Sequence, residues 1–99
     1  MGDYLLLEEA KSYLRITWGE EDTLLNTLIS RGKRKLEELA GAELDFETEG
    51  LARSLLLDYV RYAYNNASEY WEENFRFDIL RLQLMTGVAE LPEVVTDEG

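Results

Sequence analysis

The sequence predicts an all-α fold, a small bundle of about four helices followed by a mobile C-terminal tail. Leu, Glu and Arg are abundant and the 99 residues include only one Pro, a composition that favours helices. Apolar residues also recur at helical intervals of three and four along most of the chain. This length suits a single domain, and we expect a helical domain over residues 1–87 and a flexible tail over residues 88–99.

Apolar periodicity defines the first two helices. Leu7, Ala10 and Leu14 mark one face of a short first helix. The second helix is predicted to extend from about Gly19 to Ala40. Its inward stripe comprises Leu25, Leu28, Ile29, Gly32, Leu36, Leu39 and Ala40. Because Gly32 lies on that stripe at a cost of about 1 kcal/mol of helix propensity relative to Ala, we expect another helix to approach closely there.

The ends of the second helix carry local signals. Thr17 and Glu20 have the spacing of a capping box at its start. Gly41 is placed to end the helix in the left-handed conformation. The acidic segment from Ala42 to Glu49 is predicted to be a loop, within which Thr48 is the expected cap of the third helix.

The third helix is predicted to reach about Ala67 or beyond and to have a wide apolar surface. Its main face comprises Ala52, Leu55, Leu56, Tyr59, Val60, Ala63 and Ala67. Leu51, Tyr62 and Tyr64 widen the surface beyond that face, which indicates contact with more than one neighbour.

The region that follows the third helix has two open points. The segment from Ser68 to Asn74 either continues the helix or forms a turn. The segment from Phe75 to Thr86 is expected to be a fourth helix, capped by Asn74 and ended by Gly87, although its partly alternating apolar residues also fit a strand. If it is helical, its apolar residues surround the axis, and one of its sides is a candidate contact for another subunit.

The composition argues against an enzyme and against a metal protein. The chain has no Cys and no His, which removes thiol nucleophiles, disulfides, imidazole acid–base chemistry and the usual zinc ligands. Adjacent carboxylates such as those of Glu37 and Glu38 point in different directions on a helix and normally stay solvated. No glycine-rich phosphate loop or nucleotide fingerprint is present in the sequence. We therefore predict a non-enzymatic protein with no cofactor and no metal.

The net charge of −11 bears on the partners of the protein. It disfavours sequence-specific binding to duplex DNA, and a solubilising surface is its simplest interpretation. Two sharper interpretations are that it lines a channel through which DNA passes without binding, or that it imitates DNA. No apolar run approaches the roughly 20 residues needed to span a bilayer, and the chain starts without the features of a signal peptide. We therefore expect no membrane association and synthesis in the cytoplasm.

Two groups of residues are candidates for contacts with other subunits or partners. Arg31, Arg34 and Lys35 share one face of the second helix. They either pair locally with Glu37 or Glu38, or they meet an acidic surface of another subunit. The second group is apolar or aromatic, and its members are either core or frayed residues or interface anchors. This group comprises Tyr62, Tyr70, Trp71, Phe75, Phe77, Leu91, Val94 and Val95.

Several short blocks occur in an order that resembles a known family. The blocks are KSYLRI (Lys11 to Ile16), EEDTLLNTLI (Glu20 to Ile29), LEELAG (Leu36 to Gly41), LLLDYVRYAYNNA (Leu55 to Ala67) and ILRLQL (Ile79 to Leu84). Together they resemble the small, all-helical head–tail connector proteins of long-tailed bacteriophages, which are also called head-completion adaptors.

The resemblance implies a structural virion protein at the head–tail junction. Connectors of this family form a ring of about a dozen copies beneath the portal, extend the DNA channel and present a surface to the stopper or tail-completion protein, without catalysis. The implied partners are further copies of this chain, the portal, and the stopper or tail-completion protein, while DNA passes without specific binding. Two alternatives stay open: an acidic, DNA-mimicking inhibitor of a host DNA-binding protein, and a helical interaction module of another kind.

Overall fold

Helices account for the regular structure of the molecule. The computed structural model describes residues 2–87, and that range contains five α-helices and no strand. The helices are α1 (Gly2–Leu14), α2 (Asp22–Ala40), α3 (Leu51–Tyr64), α4 (Ser68–Asn74) and α5 (Arg76–Thr86). The predicted all-α bundle is confirmed, and the segment that also fitted a strand is a helix. There are five helices rather than about four because α4 is separate from α3. The predicted tail, residues 88–99, lies outside the described residues.

The helices form three layers. The middle layer consists of α2 and α3. These helices are antiparallel, as shown by the hydrogen bond that the Tyr64 hydroxyl at the end of α3 donates to Glu21 at the start of α2. α1 packs on one side of this pair, and α4 and α5 pack on the other. Between residues 2 and 87, no contact joins α1 to α4 or α5. The bundle therefore has two outer surfaces, the α1 flank and the α5 flank, that are separated by the middle layer.

The core fills the space between these layers. Its largest fully buried side chains are those of Trp71, Leu6, Leu25, Leu36, Leu55, Leu56 and Val60. At Gly32, α2 touches α3, since a Cβ atom there would lie 2.6 Å from Leu56 Cδ1 and 2.9 Å from Tyr59 Cδ2. Both distances are shorter than a van der Waals contact between carbon atoms. The close approach predicted from Gly32 is confirmed.

The glycines at the ends of α2 and α5 behave as predicted. Gly41 has a φ of 69° and Gly87 a φ of 84°, both in the left-handed region. α3 ends at Tyr64, before the predicted boundary at Ala67. It stops there because Asn66 takes a left-handed φ of 59°, a conformation that Asn tolerates better than most residues.

The predicted capping box at the start of α2 is wrong. α2 begins at Asp22, and no side-chain hydrogen bond caps it. Before it, the Asp22 N–H donates to the Gly19 carbonyl at 3.2 Å, and this turn leaves Thr17 too far back to act as a cap. The Asp22 carboxylate instead forms an ion pair with Lys11 of α1 at 2.8 Å, which ties the two helices together.

The predicted caps at Thr48 and Asn74 are also wrong. Asp45 Oδ1 accepts the N–H of Thr48 at 3.3 Å, and this local turn occupies the stretch where the helix was expected to begin. α3 starts later, at Leu51, after Gly50. Asn74 is the last residue of α4, and its side-chain amide donates to the Tyr62 hydroxyl at 3.0 Å.

Candidate assembly surfaces

The two adjacent aromatic residues of α4 have opposite environments. Tyr70 is 55% exposed, whereas Trp71 is fully buried. The Trp71 indole N–H donates to the Leu55 carbonyl at 3.2 Å, and its ring meets Tyr59 edge-on with 5.2 Å between the ring centroids. This corrects the interface hypothesis for Trp71, because α4 turns that side chain into the core and leaves none of it for another subunit. Tyr70 faces solvent and remains a candidate.

Tyr62 and Phe75 form a half-buried pair where α3 meets the junction of α4 and α5. Their rings pack edge-to-face with 5.6 Å between centroids. The Arg61 guanidinium lies 5.1 Å from the Tyr62 ring centroid, within the range of a cation–π contact. These contacts hold the corner between α4 and α5 against α3. Both aromatic side chains stay partly exposed and so remain available to a neighbour.

An apolar stripe follows the outer face of α5. Phe77, Leu80 and Leu84 have the i, i+3, i+7 spacing of one helical face, and the core residues Ile79 and Leu82 lie on another side of the same helix. Phe77 is 75% exposed and Leu80 is 43% exposed, so the chain between residues 2 and 87 leaves Phe77 largely uncovered and Leu80 partly so. We call Phe77, Leu80 and Leu84 the α5 stripe. Contiguous apolar surface of this kind on a small domain is typical of an interaction site.

The predicted basic cluster lies on α2, beside the α5 flank. Arg31 and Arg34 are exposed, and neither forms an ion pair with any residue in the described range. Lys35 pairs with Glu72 of α4 at 3.3 Å, so the local pairing within α2 that the sequence allowed is replaced by a bridge between two helices. This bridge places the basic cluster at the border of the α4–α5 layer.

A groove lies on the opposite side of the molecule, between α1 and the start of α3. It consists of two depressions of about 550 and 220 Å³ that share Glu9, Tyr13 and Arg53 in their walls. The Arg53 guanidinium pairs with Glu9 and also donates to two carbonyl groups of the loop between α2 and α3. Glu8 lines the first depression and Glu49 the second. We call this feature the α1–α3 groove, and its rim is acidic.

Tyr13 fixes one wall of the α1–α3 groove. Its hydroxyl donates to Asp58 Oδ1 at 3.3 Å, and the same oxygen accepts a hydrogen bond from Arg61 at 3.1 Å. Burial raises the pKa of Tyr13, and the neighbouring Asp58 carboxylate raises it further. Tyr13 is therefore held as a neutral donor that joins α1 to α3.

The loop between α2 and α3 adds exposed negative charge near the groove. Glu43, Asp45, Glu47 and Glu49 all lie in this loop and are all exposed. A hydrogen bond from the Thr48 side chain lowers the pKa of Asp45, and the backbone N–H groups that follow Asp45 act in the same direction. The loop is therefore a stable anionic edge at ordinary pH.

Sequence reasoning missed two parts of these surfaces. Leu80 completes the α5 stripe, and its spacing from Phe77 was a signal that the sequence already contained. Met85, which is 70% exposed, lies on the neighbouring side of α5. The α1–α3 groove had no such signal, because Glu8 and Glu49 are far apart in the chain and only the packing of α1 on α3 brings them together.

The part of the chain that the structure describes offers no site for a metal ion and no membrane span. No group of three or more carboxylates within it is arranged to hold a metal. None of its helices is both long enough and apolar enough to cross a bilayer. Leu91, Val94 and Val95, which are predicted contacts with a partner, lie outside the described residues.

These features define a small helical assembly protein, with an apolar and basic flank on one side and an acidic groove on the other. The family model for phage gp6-like head-tail connector proteins matches residues 4–93, and the chain belongs to this family. It is a structural protein of the phage head–tail junction, where it interacts with other virion proteins. No curated protein matches the chain. No solved structure matches it either.

Proposed function

We propose that this chain is an adaptor that forms a ring beneath the portal and extends the DNA channel toward the stopper or tail-completion protein. The observation that carries the proposal is the α5 stripe, which leaves apolar surface exposed on a protein whose family works by assembly. A contact between the α1 flank of one copy and the α5 flank of the next is heterologous, and such contacts form a ring when the rotation between copies closes. The family resemblance supplies the expected number of about a dozen copies.

Contacts between copies are proposed to use the exposed and half-exposed aromatic residues together with the basic cluster. The aromatic members are Tyr62, Tyr70, Phe75 and Phe77. Arg31 and Arg34 support this arrangement because they are exposed cations with no acidic partner between residues 2 and 87. A surface ion pair contributes only up to about 1 kcal/mol, but a ring repeats the pair at every contact.

The portal, the stopper and DNA complete the proposal. Leu91, Val94 and Val95 are proposed to contact the portal, which would give apolar residues at the end of the chain a partner. The stopper or tail-completion protein is proposed to bind the other rim of the ring. The net charge of −11 supports a channel wall that repels the DNA backbone, so that DNA slides through without specific binding.

Co-assembly with the portal ring encoded in the same genome tests this function. The two purified proteins are mixed, separated by size-exclusion chromatography and examined by electron microscopy. A stoichiometric particle with an added ring is the expected result. Absence of any association at high protein excess would overturn the proposal, and capture of a host DNA-binding protein in its place would favour the DNA-mimic alternative.

The contribution of the basic cluster is tested by a pair of variants that change the net charge equally. Arg31→Gln with Arg34→Gln removes two cations, and Thr23→Glu with Asn26→Glu adds two anions at exposed positions of the same helix. The first variant should weaken co-assembly about tenfold, since two lost pairs of about 0.7 kcal/mol each correspond to that factor. The second should assemble almost normally. Equal effects of the two variants would assign the loss to overall charge and remove the basic cluster from the interface.

A further inference from the structure

The α5 stripe carries positive charge on both sides. Arg76 lies next to Phe77, and its guanidinium is 5.7 Å from the centroid of that ring. Arg81 lies one residue beyond Leu80, and its guanidinium forms an ion pair with the Asp78 carboxylate at 3.2 Å. With the basic cluster, this flank holds five of the ten cations of the chain. Lys35 and Arg81 are paired with Glu72 and Asp78, which leaves Arg31, Arg34 and Arg76 without an ion pair to any residue between 2 and 87. Exposed apolar groups beside unpaired cations fit an acidic surface that has apolar or aromatic groups of its own.

The α1–α3 groove is such a surface. Its larger depression is open and shallow, with a volume of about 550 Å³, and Tyr13 gives it an aromatic wall against which an aromatic side chain can pack. Its only guanidinium, that of Arg53, is already engaged by Glu9 and by backbone carbonyl groups. Glu8 and Glu49 line the groove without an ion pair to any residue between 2 and 87. The groove therefore presents the carboxylates of Glu8 and Glu49 to a cation of a second copy.

We propose that the α5 stripe of one copy of this chain packs into the α1–α3 groove of the next copy. Phe77 enters the larger depression beside Tyr13, and Arg76 meets Glu8 at its rim. The stripe and the groove cannot meet within one chain, because α2 and α3 separate the two flanks. Each copy therefore offers its stripe forward and its groove backward, which is the arrangement that a closed head-to-tail ring requires.

This inference rests on the proposed ring and identifies the surfaces that build it. It commits to a second copy as the occupant because the charges on the two flanks are complementary. A stripe reserved for the portal would not need an acidic groove on the opposite side of the same domain.

Cysteine cross-linking tests the contact directly, because the natural chain has no Cys. Ser12 is exposed on the groove wall and Met85 is 70% exposed beside the stripe, so a chain carrying Ser12→Cys and Met85→Cys places one thiol on each flank and keeps Phe77. The matched control carries Ser30→Cys with Met85→Cys, since Ser30 is exposed on α2 and lies outside the groove. Both proteins are assembled on the portal ring, treated with a short thiol-reactive cross-linker and separated under denaturing conditions.

The expected result is a ladder of multiples of the 11.5 kDa chain for the Ser12 pair and none for the Ser30 pair. Rings that form without the Ser12 ladder, or Met85→Cys linked to the portal, would overturn this contact and leave the ring function intact. Failure of every variant and of the natural chain to form a ring would overturn both.

A charge exchange gives an independent readout. Glu8→Arg and Arg76→Glu should each reduce co-assembly about tenfold, because each places like charges opposite one another in every contact. The two changes in the same chain restore opposite charges across the contact and should return assembly to within about threefold of the natural protein. A double variant that assembles no better than the worse single variant would contradict the pairing of Arg76 with Glu8.

Discussion

Replacing Trp71 should reduce the stability of the fold, whereas replacing Tyr70 should affect assembly alone. Trp71→Ala removes a fully buried side chain together with its hydrogen bond to the Leu55 carbonyl and its edge-on contact with Tyr59. Truncations of this kind cost about 3–5 kcal/mol, which is a large part of the roughly 5–15 kcal/mol that stabilises a typical domain. Tyr70→Ala removes an exposed side chain and should change the free energy of unfolding by less than about 0.5 kcal/mol.

Urea unfolding followed by far-ultraviolet circular dichroism measures both variants on the same scale, because the helical signal is retained when the tryptophan is removed. Trp71→Phe serves as a milder variant that keeps one ring and loses the indole donor, with an expected loss of about 1–2 kcal/mol. Tyr70→Ala should unfold like the natural protein and yet co-assemble less well with the portal ring. A loss below about 1 kcal/mol for Trp71→Ala, or an equal loss for Tyr70→Ala, would refute the division between core and surface.

Two further predictions concern packing and pH. Gly32→Ala should lower the free energy of unfolding by about 1 kcal/mol in the same urea assay, because overpacking against Leu56 costs about 1–3 kcal/mol and outweighs about 1 kcal/mol of helix propensity. Ser30→Ala, at an exposed position of the same helix, is the control, and equal stabilisation by both changes would contradict the close approach. Separately, the hydrogen bond to Glu21 raises the pKa of Tyr64, so its contribution is present below the ordinary tyrosine pKa near 10.0 and is lost as pH rises through the raised value. Thermal unfolding between about pH 9 and 12 should show a steeper loss for the natural protein than for Tyr64→Phe, and parallel curves would contradict this linkage.

The position and buried face of α2 were predictable because one signal governs them. Leu25, Leu28 and Leu36 repeat at helical spacing and are all buried, and Gly41 ends the helix in the left-handed conformation. Gly32 on the same stripe predicted a close approach of another helix, and α3 lies against it in the structure. Such features depend on a residue and its near neighbours, so the sequence contains them in full.

The helix starts were not predictable because several local structures compete there. Thr17 has the side chain of a cap, but a turn at Gly19 delays the start of α2. Thr48 is similarly suited to capping, but Asp45 accepts its N–H and holds a loop turn instead. Which local structure forms depends on the ion pairs and packing of the completed bundle. The ion pair between Lys11 and Asp22 at the start of α2 is one example.

The candidate site also has parts that the sequence predicted and parts that depend on how the helices pack. The sequence placed Tyr70 and Trp71 in one group, since both are large aromatics in an ambiguous stretch. Adjacent residues on a helix point about 100° apart, and once α4 forms, only one of the two faces α3. The basic cluster was visible as a cluster, but its partners were not, because the bridge from Lys35 to Glu72 joins helices that are distant in sequence.

The outer face of α5 is the feature that folding alone does not explain. α2 presents exposed Arg31 and Arg34 to solvent, as the outer face of a helix in a soluble bundle usually does. α5 presents Phe77 instead, with Leu80 beside it, although Phe77 is 75% exposed and contributes little to the core. With a net charge of −11, copies of this chain repel one another at long range. Contact between copies is therefore favoured where apolar area lies beside unpaired cations, and the α5 flank supplies both in its stripe and in Arg31, Arg34 and Arg76, which have no ion pair to any residue between 2 and 87.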